Sequence, residues 1–254
     1  MIEIKNIQKA FNGREILKGI SGTFEKGKTS LVIGSSGTGK SVLMKCMLDL
    51  IRPETGEVLY DGRNFLTADD EMKKEIRREM GVLFQGGALF DSKTVAENVS
   101  FPLEMLTTMS RGEIKDRVVF CLERVGLADA ADRMPSEISG GMKKRVGIAR
   151  AIVMRPKYLF CDEPNSGLDP LTAITIDELI KEITDEFQIT TVVITHDMNS
   201  VLTIGEYVMY LDKGNKLWEG NSQTVLQASV PELDEFVFSN YALKTMRDDI
   251  RSRK

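Results

Sequence analysis

The chain is poor in several residues on which common chemistries rest. Among 254 residues there are one histidine, one tryptophan and three cysteines. Cys46, Cys121 and Cys161 have no metal-like spacing, their number is odd, and each sits among apolar neighbours. That argues against a closed disulfide framework and predicts small buried thiols in a reducing cytosol. No uninterrupted apolar run approaches the roughly 20 residues needed to cross a bilayer. The start, Met1-Ile2-Glu3-Ile4-Lys5, has neither the basic leader nor the long apolar core of a secretory signal. Any membrane span that the function needs is therefore expected on another chain. Positive charge is not in excess either: 34 Lys and Arg against 38 Asp and Glu leave −4 at pH 7, which gives no global drive toward nucleic acid. What remains is an ordinary globular composition, 42% hydrophobic and 28% charged, long enough for one large domain or two closely joined lobes.

Apolar periodicity organises the chain. Alternation in Ile2, Ile4 and the stretch to Phe11 predicts a strand broken by a turn at Asn12-Gly13. Thr29-Ser30-Leu31-Val32-Ile33 is a short β-rich run ended by a glycine-rich loop. From Lys40 to Ile51, Leu43, Met44, Met47, Leu48 and Ile51 keep a helical period until Pro53 stops it. Glu57-Val58-Leu59-Tyr60 reads as a strand entering a turn at Asp61-Gly62, and Asp69 to Met80 as a solvated, charge-rich helix. Residues about 90 to 155 carry helical patterns with few strand signals, which predicts an inserted helical lobe. Strand signals return at 158–161 and 191–195, around a helix from Leu171 to Glu186. This is the alternation of a parallel α/β sheet. A last strand pair, Tyr207 to Leu211 and Lys216 to Glu219, flanks Lys213-Gly214. The tail from Pro231 to Lys254 places Leu233, Phe236, Val237 and Tyr241 at helical spacing. That face needs a partner, expected on a neighbouring subunit, though the chain's own core could provide it.

The chemistry concentrates in two places. Gly34-Ser35-Ser36-Gly37-Thr38-Gly39-Lys40-Ser41 fits the phosphate-loop pattern Gly-x-x-x-x-Gly-Lys-Ser/Thr, after an expected strand and before an expected helix. Glycines let the backbone bend around phosphate oxygens and aim its N–H groups inward. The helix from Lys40 adds its positive end. Lys40 is expected to reach the β- and γ-phosphates of ATP, and the Ser41 hydroxyl to coordinate Mg²⁺. Tyr158-Leu159-Phe160-Cys161-Asp162-Glu163 is an apolar strand ending in two carboxylates. In NTPases an acid so placed serves the metal, which suits Asp162, and leaves Glu163 to polarise the attacking water as general base.

Ile138-Ser139-Gly140-Gly141-Met142, followed by Lys143-Lys144-Arg145, resembles the signature of the ABC ATPases, which usually reads Leu-Ser-Gly-Gly-Gln. The resemblance covers residues 1 to about 228. It implies a P-loop NTPase fold of the α/β class: a RecA-like mixed sheet, an antiparallel β subdomain and a helical subdomain inserted at about 88–155, with 229–254 as a C-terminal extension. It also implies roles. Gln85 matches the Q-loop glutamine that senses Mg²⁺, Ser166-Gly167-Leu168-Asp169 the D-loop, and His196, the sole histidine, the switch residue that contacts the γ-phosphate. Phe11 stands where the family stacks an aromatic on adenine. Such ATPases work as head-to-tail dimers, so Ser139, Gly140 and Gly141 are expected to complete a second copy's site with their backbone N–H groups.

Met142, the stretch Gln85-Gly86-Gly87-Ala88-Leu89-Phe90, Val125-Gly126-Leu127 and Met134-Pro135-Ser136-Glu137 look like the ATPase of Mla-type bacterial phospholipid transporters. That likeness implies a polytopic permease, an MCE-domain lipid-binding protein and a STAS-domain regulator as partners. It also implies a peripheral location on the cytoplasmic face of the inner membrane, with no nucleic acid. The alternatives are an importer ATPase for a polar solute such as an amino acid, a soluble ABC ATPase acting on DNA or ribosomes, and a binding module without catalysis. Against the soluble ATPase, neither a long coiled-coil insertion nor a second cassette is present. Against the inactive module, Lys40, Gln85, Asp162, Glu163 and His196 are all in place.

Overall fold

The computed structural model describes residues 1–239 and 241–245, which fall into two compact units, one of 1–68 with the described residues from 192 onward and the other of 69–191. In the first, β1 (Ile2–Phe11) and β2 (Arg14–Phe24) form a hairpin through Asn12-Gly13, both at positive φ as a two-residue turn requires. Ile2, Ile4 and Ile7 are all buried, although strict alternation would bury residue 6. A β-bulge with Asn6 at φ 51° inserts one residue and resets the face. The same irregular register spaces the buried residues of β2 as Leu17, Ile20 and Phe24, which hides that strand from a period-two reading. Next come β3 (Thr29–Ile33), α1 (Lys40–Met47), β4 (Thr55–Tyr60) and β5 (Arg63–Asn64). The antiparallel sheet runs β2-β1-β4-β5.

The helix expected to reach Ile51 stops at Met47. Asp49 turns left-handed at φ 54°, and the N–H groups of Asp49 and Leu50 close back on Cys46 and Lys45. Leu48 is still buried from the turn, so the apolar period outlasts the helix.

The chain then builds the second unit: α2 (Asp70–Arg78), β6 (Met80–Leu83), α3 (Val95–Leu106), α4 (Arg111–Arg124), α5 (Gly140–Ile152), β7 (Tyr158–Asp162) and α6 (Pro170–Phe187). Capping boxes start α3 and α4, Thr94 with Glu97 and Ser110 with Glu113. Here β6 and β7 pair in parallel. Helix α5 is the centre of the unit, packed against α3, α4, α6 and β6. A Cβ on Gly81 of β6 would run into the carbonyl of Ala151 on α5, so this glycine sets the distance between strand and helix.

Strand β8 (Thr190–Thr195) leads back into the first unit, where α7 (Met198–Ile204), β9 (Tyr207–Asp212), β10 (Asn215–Gly220), α8 (Pro231–Val237) and α9 (Tyr241–Thr245) follow. The strand order is β10-β9-β3-β8, with β3 and β9 parallel and the last hairpin antiparallel. The start of the tail packs on the chain's own core, in place of the expected neighbouring subunit. Leu233 and Val237 are buried, the Tyr210 hydroxyl donates to the Glu232 carbonyl at 3.0 Å, and the Tyr210 and Phe236 rings lie 5.6 Å apart. The basic end falls outside the described residues. Among the described residues, no helix is long and apolar enough to cross a membrane.

All three cysteines are free and buried, as expected. Burial pushes the thiols of Cys46 and Cys121 up to about 12 and about 11, and that of Cys161 up as well, because the thiolate loses its hydration. A disulfide-exchange reagent at pH 8 should therefore leave the native protein unmodified and label three thiols once the chain is unfolded. Leu233→Ala should cost about 2–5 kcal/mol of unfolding free energy in a urea titration, since it empties a fully buried position.

Candidate functional site

In the first unit, β3 is buried at every residue and ends directly in the loop Gly34–Ser41. Gly34 (φ 147°) cannot carry a side chain there, because a Cβ would collide with the Leu211 carbonyl of β9 and stand 3.0 Å from Thr38 Oγ1. Gly39 (φ 108°) would meet Leu17 Cδ2 at 2.8 Å and the Ile16 carbonyl at 3.1 Å. Gly37, at φ 80°, faces open space; it is glycine for its left-handed backbone alone. The loop is tied internally, with Thr38 Oγ1 donating to the Ser35 carbonyl at 2.9 Å and Lys40 Nζ to the carbonyls of Gly34 at 2.7 Å and Ser35 at 2.9 Å. Gly39 stands at the N-cap of α1. An anion brought there meets backbone N–H groups and the positive end of the helix.

Two further candidates belong to the same unit. Phe11 ends β1 with its ring 43% exposed and Lys9 Nζ 5.1 Å from its centroid. His196 is exposed immediately after β8. Its neighbours are pinned: the N–H of Asp197 donates to Thr195 Oγ1 at 3.0 Å, and Asp197 caps α7 through the N–H of Asn199 at 2.9 Å. The histidine is the single link between a buried strand end and a capped helix start.

The second unit holds Gln85, Ser139, Gly140, Gly141, Asp162 and Glu163. Asp162 is the last residue of β7, 9% exposed; Glu163 follows in a left-handed backbone conformation, φ 48°. Gln85 is exposed, two residues beyond β6. Ser139 caps α5 by accepting from the N–H of Met142 at 3.2 Å, and both it and Gly140 are exposed. Gly141 is buried, and a Cβ there would stand 2.5 Å from Thr172 Cγ2 on α6. Asp169 caps α6. Its hydrogen bonds from the hydroxyl and N–H of Thr172 hold its carboxyl below the usual carboxylate range. Asn165 donates to the buried Asp177 at 2.8 Å and so anchors the segment between Glu163 and α6.

One residue of this unit is invisible to a linear reading. Lys144 sits in the run Lys143-Lys144-Arg145, yet it alone of the three is buried, 6% exposed. Its Nζ donates to the carbonyl of Gln85, to the carbonyl of Glu163 at 3.2 Å and to Ser166 Oγ at 3.4 Å. Burial pulls the ammonium below its ordinary value, while the negative charges of Glu163 and Asp162 act the other way.

The oxygen donors expected for Mg²⁺, the Ser41 hydroxyl, the Gln85 amide and the Asp162 carboxylate, fit that ion chemically. Mg²⁺ prefers hard oxygens and takes few carboxylates when phosphate and water supply the rest.

A family model described as ABC transporter matches residues 17–166. The chain is 37% identical over 236 residues to the "Probable ribonucleotide transport ATP-binding protein mkl" of Mycobacterium leprae, covering 93% of this chain and 68% of that one. It is 36% identical to the intermembrane phospholipid transport system ATP-binding protein MlaF of Haemophilus influenzae, over 93% of this chain and 90% of the relative. To the methionine import ATP-binding protein MetN of Carboxydothermus hydrogenoformans it is 43% identical, over 87% and 66%. The structure is similar to a dimeric ATP-binding cassette in a post-hydrolysis state bound to ADP and Pi, with TM-score 0.79, 33% identity and coverage of 87% and 99%.

Lys40→Met removes the cation from the loop and leaves its length. The rise in melting temperature that about 1 mM Mg-ATP produces by mass action should be lost in this variant, while the ligand-free melting temperature stays within a few degrees.

Proposed function

We propose, for a chain that belongs to the ABC transporter family and hydrolyses ATP as its cassette relatives do, that it drives a bacterial transporter of phospholipid or a related lipid. The observation that carries the lipid reading is the match to MlaF across 90% of that protein, in a chain that carries Met142 in its signature and the small, apolar stretch after Gln85. MetN relatives support a second reading, an importer for a polar solute such as methionine. In either case the chain works at a membrane on a partner's spans. In the second unit, Phe84, Phe90, Phe101, Leu106 and Met154 line an apolar groove of about 320 Å³ edged by Arg77, Arg78 and Arg150. A groove of this kind suits an apolar permease segment. We place the chain on the cytoplasmic face of the inner membrane, with an MCE-domain protein and a STAS-domain regulator as further partners.

The site residues divide the reaction among them. The loop's N–H groups and Lys40 hold the phosphates, and Phe11 stacks on the adenine. Ser41, Gln85 and Asp162 hold Mg²⁺, which when bound offsets charge on the phosphate oxygens. Glu163 takes the proton of the attacking water as its oxygen closes on the γ-phosphorus and the bond to the leaving ADP oxygen breaks; His196 meets the γ-phosphate oxygens. Ser139, Gly140 and Gly141 lie exposed or at the start of α5. There they serve a second copy in a head-to-tail dimer, with their N–H groups on its γ-phosphate.

Glu163→Gln should lower turnover about 10²- to 10⁴-fold, the range of a lost general base, with ATP binding retained and the dimer favoured; near-normal hydrolysis removes Glu163 from that role. For the cargo, the chain should be purified from membranes with its partners. Co-elution of an MCE-domain protein carrying phospholipid is expected, and a periplasmic solute receptor in its place overturns the lipid reading.

A further inference from the structure

We propose that Lys144 is a positioning residue for hydrolysis, joining the main chain of Gln85 to that of Glu163 through one buried ammonium; this rests on the reading of Glu163 as general base. Two loops converge on α5. Lys144, Gly147 and Arg150 lie on one face, and each meets the segment after β6 or β7. A Cβ on Gly147 would stand 2.6 Å from Leu83 Cδ1 and 3.7 Å from Gly87 Cα, so its absence lets the loop after β6 lie directly on the helix. Arg150 donates to the carbonyls of Gly87 at 2.6 Å and Ala88 at 2.8 Å. Lys144 takes the remaining contacts: the Gln85 carbonyl, the Glu163 carbonyl and Ser166 Oγ.

The chemistry explains why a lysine is used there. An ammonium has three donors, and here its three acceptors come from two separate segments, Gln85 after β6 and Glu163 with Ser166 after β7. Glu163 and Ala88 are both non-glycine residues at positive φ, 48° and 46°. Such backbone persists only where the surroundings over-determine it, and a charge-assisted bond to each carbonyl does that. Lys144 reaches Glu163 through the main chain, so it fixes the residue without taking its carboxylate as hydrogen-bond acceptor. A displacement of Gln85 therefore pulls on the backbone that aims the general base.

The test uses the full-length chain and compares wild type, Lys144→Met, Lys144→Arg and Glu163→Gln, with the Lys144→Met/Glu163→Gln double variant, for kcat, KM for Mg-ATP and melting temperature. Lys144→Met should lower kcat about tenfold to hundredfold, as a slight misplacement of a reacting group does, with KM within about twofold. Lys144→Arg, which keeps the charge and donors, should recover part of the loss. In the Glu163→Gln background, Lys144→Met should add no further loss, because it acts through Glu163. Unchanged kcat in Lys144→Met, or full additivity in the double variant, overturns the proposal. If Lys144→Met fails to fold, the same comparison with Lys144→Gln, which keeps two N–H donors without the charge, decides it. If Glu163→Gln itself retains turnover, the general-base reading fails instead, which separates the two failures.

Discussion

Three strands of this chain, β3, β7 and β8, are buried at every residue, and that constraint dictates where chemistry can sit. A strand covered on both faces has no solvent side for polar side chains, so it presents them only where it stops. β3 stops into Gly34–Ser41, β7 into Asp162-Glu163 and β8 into His196. Ligands of open α/β sheets gather at the carboxyl ends of strands for this reason. The apolar runs in the middle of the motifs are as necessary as the charged residues that end them.

The same constraint decides what can be read from a linear sequence. The phosphate loop, the Asp-Glu pair and the histidine are legible because each is the abrupt end of an apolar run, a pattern a few residues long. Strand β2 is illegible because the bulge at Asn6 and the other register shifts of β1 place its buried residues at intervals of three and four. The end of α1 is misread for a related reason: Leu48 keeps its core contact from a turn, so burial and helix part company at Met47. Fold class survives both errors, since it depends on the order of strands and helices and not on their ends.

Lys144 lies beyond linear reading altogether. Nothing in Lys143-Lys144-Arg145 marks the middle residue as buried; only the path of the loops after β6 and β7, which meet on α5, makes it so. Long-range backbone contacts of this kind leave no compositional trace. A lysine bonded to carbonyls has the same sequence signature as one in water.

The arrangement of α5 carries a mechanical consequence. Its N-cap Ser139 and first residue Gly140 are exposed at the signature, while its body, one turn later, is bonded to the loop that follows β6 and to the residue that follows β7. Arg150, at the far end of the same face, both edges the apolar groove and holds the carbonyls of Gly87 and Ala88. In the proposed dimer the helix would meet a partner's nucleotide at one end and a permease segment at the other, with the backbone of Gln85 and Glu163 fastened between. Packed elements of this density shift as units and do not deform locally, so a shift of α5 carries the backbone of Gln85 and Glu163 with it. The methionine that replaces glutamine at 142 lies in the first turn of this helix, clear of the Lys144–Gly147–Arg150 face. The signature can thus vary in sequence without disturbing the ties to the carbonyls of Gln85, Gly87, Ala88 and Glu163.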